Sequence, residues 1–140
     1  MAYHPLEHTA DLGIEASADS LEELFAECLR AQTDCLTRLD RVAEKESREL
    51  QLAASDLPDL LVDFLGEAIY LHETQGLVLA GAKLKVWESD GVWALSGVVT
   101  GEEFELSRHG LKTLLKAVTY HQLSVHRRGD KWVARVIFDI

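Results

Sequence analysis

The chain has 140 residues, 47% of them apolar, which is enough for one ordinary core and too apolar for a disordered segment. Its formal charge of −10 excludes general affinity for a phosphate backbone, which needs clustered Lys and Arg, and suits a basic protein partner better. The acidity is concentrated early: Glu7, Asp11, Glu15, Asp19, Glu22, Glu23, Glu27 and Asp34 stand against the single base Arg30, and the basic residues gather later, in 108–116 and 127–135.

Asp11 precedes a short alternating run, Leu12 to Ala16, that reads as a strand. Ser20-Leu21-Glu22-Glu23 is a capping box. Leu21, Leu24, Phe25, Cys28, Leu29 and Cys35 follow at helical spacing, so the pattern predicts an amphipathic helix from Ser20 to Leu36 with an acidic outer face. The two cysteines share a face of that helix but are seven residues apart, too far to bridge, and are expected to be reduced. Residues Val42 to Ala53 read as a half-buried strand. Asp56 then caps a second helix, with Pro58 tolerated in its first turn and Gly76 as its stop. Its apolar side carries Leu57, Leu60, Leu61, Phe64, Leu65, Ala68 and Ile69. Asp59, Asp63 and Glu67 form a like-charged stripe at i, i+4, i+8, for which a solvated face is a sufficient explanation.

From Leu77 the pattern is β. Ala82, Leu84 and Val86 alternate with Lys83, Lys85 and Trp87; Asp90-Gly91 supplies a turn, and Val92 to Val99 returns as the hairpin partner with Trp87 and Trp93 close to opposite each other. Within 101–115, Leu111, Leu114 and Leu115 suggest a short helix. Val118 to Arg127 and Trp132 to Asp139 form a last hairpin through Arg128-Gly129-Asp130-Lys131. These elements, in a βαβαβββ-like order, predict a single α+β domain over 1–140: a mixed β-sheet with two main helices packed on one face. No run is long and apolar enough for a membrane span and the acidic N-terminus lacks a signal-peptide pattern, so a cytoplasmic protein is expected.

The chain ends on Asp139 and Ile140, which puts a carboxylate side chain beside the α-carboxylate. If Asp11 joins them, three carboxylates share one spot. Two unit charges about 4 Å apart repel by roughly 4 kcal/mol at an effective dielectric near 20, so such a cluster calls for a cation, a proton or wide spacing. An oxygen-only donor set favours Ca²⁺ or Mg²⁺, and Mn²⁺, over Zn²⁺. The plainer alternative has Asp11 turning the chain into its strand and Asp139 in water. Six histidines raise zinc, but Pro5 breaks the helical spacing of His4 and His8, and no His-Glu-x-x-His is present. No Gly-x-Ser-x-Gly elbow, P-loop or Gly-x-Gly-x-x-Gly run occurs. Lys116, ahead of the penultimate strand, either neutralises the carboxylates, reaches a partner's phosphate or snorkels over the sheet.

Four segments together carry a resemblance. They are His8-Thr9-Ala10-Asp11 with Leu12-Gly13-Ile14-Glu15, Leu60-Leu61-Val62-Asp63-Phe64-Leu65 leading to Ile69-Tyr70-Leu71, Lys116-Ala117-Val118-Thr119-Tyr120-His121, and the terminal Val136-Ile137-Phe138-Asp139-Ile140. In this order they span nearly the whole chain, which resembles the archease family. That resemblance implies a non-catalytic activator of the RtcB-type RNA ligase, the enzyme that joins RNA ends bearing a 3′-phosphate or 2′,3′-cyclic phosphate to a 5′-hydroxyl in tRNA splicing and RNA repair. The activator promotes guanylylation of the ligase and multiple turnover. The resemblance also implies a divalent cation, typically calcium, held by Asp11, Asp139 and the terminal carboxylate of Ile140, with Lys116 as the functional lysine. Arg108-His109-Gly110-Leu111 departs from the Lys-His-Pro-like loop of the family, and Phe64 replaces a more usual Trp; neither touches the implied ligands. The rival class is a general chaperone or modulator of RNA-modifying enzymes such as tRNA methyltransferases, and a metal-dependent hydrolase is a third, weaker reading.

Overall fold

A computed structural model describes residues 2–7 and 11–140. Its first strands, β1 (Ala2–Glu7) and β2 (Asp11–Ala18), pair antiparallel and lead to helix α1 (Leu21–Leu36). The Ser20 hydroxyl accepts the Glu23 N–H at 3.1 Å, closing the N-terminus of α1 as the capping box predicts. After a single 3₁₀ turn (Leu39–Arg41) come β3 (Glu46–Ala54) and helix α2 (Leu57–Gln75). The Asp56 carboxylate caps α2 by accepting the Asp59 N–H at 2.8 Å. Gly76 ends it in the left-handed region at φ 68°, where a Cβ would strain the backbone.

The long hairpin β4 (Leu77–Ser89) and β5 (Val92–Glu103) follows, then a short helix α3 (Leu106–His109), and finally β6 (Ala117–Val118), β7 (Ser124–Arg128) and β8 (Lys131–Asp139). The α+β class and both main helices stand as the sequence predicts. The strands divide between two sheets, and every pairing is antiparallel: β3-β5-β4 form one, while β1-β2-β8 form the other, with β6 and β7 both on the far edge of β8. The separation has a physical cause at the outer edge of β4. There the Glu22 carboxylate of α1 accepts the Val86 N–H (3.1 Å) and the Thr33 hydroxyl donates to the Leu79 carbonyl (2.7 Å), occupying groups that a further strand would need.

Helix α1 packs on β1, β2 and β8 and along β4, and α2 packs on β3, β4 and β5 and against β6 and β7. The core lies where these layers meet. Phe25 and Phe64 touch with ring centroids 5.8 Å apart, among the fully buried Leu24, Leu29, Leu60 and Leu65. Each such side chain stabilises the fold by roughly 1.5–3 kcal/mol.

Four local expectations change. The strand expected from Val42 begins at Glu46, because the 3₁₀ turn and the residues after it carry the chain away from α1 first. Trp87 and Trp93 are not opposite: the two-residue Asp90-Gly91 loop sets Trp87 against Ala94 and Glu88 against Trp93, so the two indoles lie on opposite faces. The short helix forms at Leu106–His109 instead of around Leu111, since Gly110 at φ 72° stops it. The strand expected over 118–127 is broken into β6 and β7. Thr119 turns both its N–H and its hydroxyl to the Ile137 carbonyl, each at 2.9 Å, and Gln122 takes φ 51° in the following turn.

Candidate functional site at the end of the C-terminal strand

β8 is the shared strand of the first sheet, flanked by β2 on one side and β6 on the other. In this register Asp11 is directly opposite Asp139, and Ala117 faces Asp139 from the other edge. Directly opposed residues of an antiparallel pair share a face, with Cβ atoms about 4.5–5.5 Å apart. Two carboxylates separated by 128 positions in the sequence thus stand side by side, and the α-carboxylate of Ile140 comes next along the chain. Asp11 is half-buried; Asp139 is exposed, and Ile140 retains 42% of its surface. Among the described residues no group of three His, Cys, Asp or Glu side chains gathers that could hold a metal ion. His8, Thr9 and Ala10, which precede Asp11 in the N-terminal motif, lie outside the described residues.

Lys116 reaches the same place by its backbone. Its N–H donates to the Asp139 carbonyl at 2.9 Å, while its side chain is exposed and lines a groove against α2. Among the described residues its ammonium makes no ion pair with Asp139.

Lys116 is delivered by a strap, residues 110–116, that is tied at both ends. At the start, the Thr37 hydroxyl donates to the His109 carbonyl (2.9 Å), the Lys112 N–H donates to Leu36 O (2.8 Å), and the Lys112 ammonium reaches Asp34. Leu115, 5% exposed, anchors the strap in the core just before Lys116.

Beneath the strap lies a buried polar cluster that has no signature in the sequence. Glu102 accepts hydrogen bonds from the Ala43 N–H (2.6 Å), the Arg108 guanidinium (2.7 Å) and His109 Nε2 (3.0 Å). His109 Nδ1 accepts the Glu105 N–H at 2.9 Å, which leaves the proton on Nε2 to donate to Glu102. The backbone N–H of Ala43, assisted by His109 and Arg108, holds the Glu102 carboxyl at a pKa of about 2. A glutamate and a histidine seven positions apart across a turn match no local motif, so only the pairing of α3 with the end of β5 reveals them.

Set against known proteins, the chain matches the model of the Archease protein family (MTH1598/TM1083) over residues 3–140. It is 37% identical over 135 residues to the protein archease of Pyrococcus furiosus, covering 96% of this chain and 95% of that one. To the protein archease of Methanopyrus kandleri it is 36% identical over the whole of both chains. The solution structure of Methanobacterium thermoautotrophicum protein 1598 superposes with a TM-score of 0.84 at 30% identity, covering 99% of this chain and 98% of that one. A Thermotoga maritima protein described as an archease and possible chaperone shares the fold at a TM-score of 0.52 and 24% identity, covering 98% of this chain and 96% of that one. With a family match running from Tyr3 to the last residue and curated relatives aligned over the same length, this chain belongs to the archease family.

Proposed function

We propose that this chain is a non-catalytic, metal-assisted activator of an RtcB-type RNA ligase, promoting guanylylation of the ligase and its multiple turnover in tRNA splicing or RNA repair. The observation that carries the reading is the register of β2 on β8, with Asp11 opposite Asp139 at the end of a chain whose next residue bears the α-carboxylate. All the donors are hard oxygens, which fits a divalent cation of the calcium type, with magnesium or manganese as alternatives. Asp11, Asp139 and the terminus of Ile140 would hold it. When bound, such an ion supplies positive charge and open coordination positions to phosphate oxygens.

The chain's own contribution is positional. The two strands fix the carboxylates at the end of the sheet, and the strap ties the Lys116 backbone to Asp139 while leaving its ammonium exposed as a point charge for a partner's phosphate. The acidity of the molecule speeds encounter with a basic active-site region and makes it sensitive to salt. No helix among the described residues is long and apolar enough to cross a membrane.

The test is a ligation assay at limiting ligase, with and without this chain, followed by Asp11→Ala and Asp139→Ala. Both variants are expected to abolish multiple turnover. Full activation by both would sink the metal-assisted reading.

A second reading, a modulator that protects several RNA-modifying enzymes such as tRNA methyltransferases, draws on the exposed Leu106, Leu111 and Leu114 around the strap. Pull-down with and without chelator separates the two. Metal-dependent recovery of one ligase favours activation; metal-indifferent recovery of several clients favours the modulator.

A further inference from the structure

Bordering the carboxylate end through Lys116 and Ala117, a groove of ≈ 540 Å³ runs between α2 and β6. Its floor includes Ile69 and Val118, and α2 lines one wall with Asp63, Glu67, Tyr70 and Glu73. Asp59 continues the acidic stripe one turn earlier. Several acids elsewhere have cationic partners, Glu15 with Arg135, Asp19 with Lys131, Glu27 with Arg30 and Asp34 with Lys112, whereas the α2 acids are set apart by forming one contiguous stripe along a groove. None of the ion pairs among the described residues involves Asp59, Asp63, Glu67 or Glu73. Burial and the neighbouring Asp59 push the Asp63 carboxyl up. The Tyr120 phenol is also raised, first by desolvation and then by Asp59, Asp63 and Asp56, so its ring stands in the field of this stripe. Tyr70 and Tyr120 nevertheless expose 56% and 63% of their surface, and Leu114 on the strap 56%.

We propose that this groove is a docking surface for a basic, amphipathic segment of a partner protein. Arg or Lys side chains of the segment lie along the α2 carboxylates, and its apolar side chains pack over Val118 between Tyr70 and Tyr120. Charge complementarity selects this occupant. Carboxylates without cations, set beside exposed tyrosines, match the pairing of Arg with acids and aromatic faces that dominates protein recognition. A nucleic acid would bring phosphates against the same carboxylates. A second copy meeting through this groove would bring stripe against stripe. Lys116, which also lines the groove, carries charge of the partner's own sign, so the segment's cations are drawn to the α2 acids and not to Lys116. Such a surface operates whichever enzyme the carboxylate end serves.

The test is fluorescence anisotropy of the full chain with a labelled amphipathic peptide carrying Arg and Leu at helical spacing. The double variant Asp63→Lys/Glu67→Lys is compared with Glu49→Lys/Glu88→Lys, which changes net charge equally on the exposed β3 and β4 strands. The groove variant is expected to bind at least about tenfold more weakly and the control within about twofold of the parent, with affinity falling as salt rises. Tyr70→Ala/Tyr120→Ala, which leaves the charge unchanged, is expected to weaken binding as well, and thermal melts confirm that each variant is folded. No binding by the parent, equal loss in groove and control variants, or no loss in the groove variant would overturn the proposal. So would a concentration-dependent dimer, seen by sedimentation, that Asp63→Lys/Glu67→Lys abolishes.

Discussion

Asp11 and Asp139 are directly opposed across the β2–β8 ladder, two carboxylates of like charge on one face of the sheet. Like charges directly opposed across a ladder repel, at a cost of up to about 1 kcal/mol, which a cation between them relieves. Divalent metal should therefore stabilise the protein, by about 2.7 kcal/mol at a free concentration a hundredfold above its dissociation constant. We expect the melting temperature to rise with calcium and to fall back with chelator. Asp11→Asn/Asp139→Asn should melt no lower than the parent in chelator and ignore added calcium. A calcium response retained by the double variant would place the ion elsewhere.

The use of the α-carboxylate makes a separate prediction. A short tag appended after Ile140 converts the terminal carboxylate into a peptide carbonyl and should weaken both calcium stabilisation and ligase activation. The same tag before Met1 should do neither. Equal behaviour of the two tagged forms, measured by calorimetry and ligation, would remove Ile140 from the ligand set.

The Glu102–His109 cluster sets an acid limit on stability. Glu102 has its pKa lowered from 4.5 to about 2 in the folded chain, so the stability it contributes is fully present above about pH 4.5 and is lost as the pH falls toward 2. Glu102→Gln should be less stable than the parent at pH 7, because it gives up the charged partners of Arg108 and His109. Its urea midpoint should then change less between pH 5 and pH 3 than the parent's, using those pH values as about the two sides of the ordinary glutamate range. A parallel loss in both proteins would show that other carboxylates govern acid unfolding.

The thiols of Cys28 and Cys35 are pushed up to about 12 and about 11, first by burial and then by the neighbouring Glu27 and Asp34 respectively. Since the thiolate is the reactive form, neither should react appreciably with a disulfide reagent near pH 8 while the chain is folded. Both should react at once in denaturant. Rapid labelling of the folded chain would show that α1 opens easily from the sheet.

Phe64 is fully buried against Phe25, and Phe64→Ala should cost about 3–5 kcal/mol in denaturant unfolding. Tyr70, six positions on and exposed, should tolerate Ala within about 0.5 kcal/mol. A large loss at Tyr70 would mean that its ring is part of the core instead of the groove wall.

Much of the framework is readable from local pattern. Ser20, Asp56 and Gly76 mark helix ends because capping depends on residues within one turn. The Asp90-Gly91 and Gly129-Asp130 loops mark hairpins because a two-residue turn needs residues that tolerate positive φ. Local pattern failed where a contact distant in sequence decides the backbone. Leu111, Leu114 and Leu115 have helical spacing, yet their segment is kept out of a helix by backbone bonds to Leu36 and Asp139. The strand expected over 118–127 breaks because Thr119 bonds to Ile137.

The same division runs through the candidate site. Sequence alone determined the two main helices, the hairpin turns, the acidity of the α2 stripe and, by resemblance, the family, and it nominated Asp11, Lys116, Asp139 and Ile140 as candidates. Only the tertiary structure decided that Asp11 sits opposite Asp139, that Lys116 bonds to Asp139 through its backbone while its side chain turns to α2, and that Glu102 and His109 meet beneath the strap. The physical reason is range. Caps and turns are settled by neighbours along the chain, whereas strand register and buried ion pairs are settled by which distant segments can hydrogen-bond and pack at once.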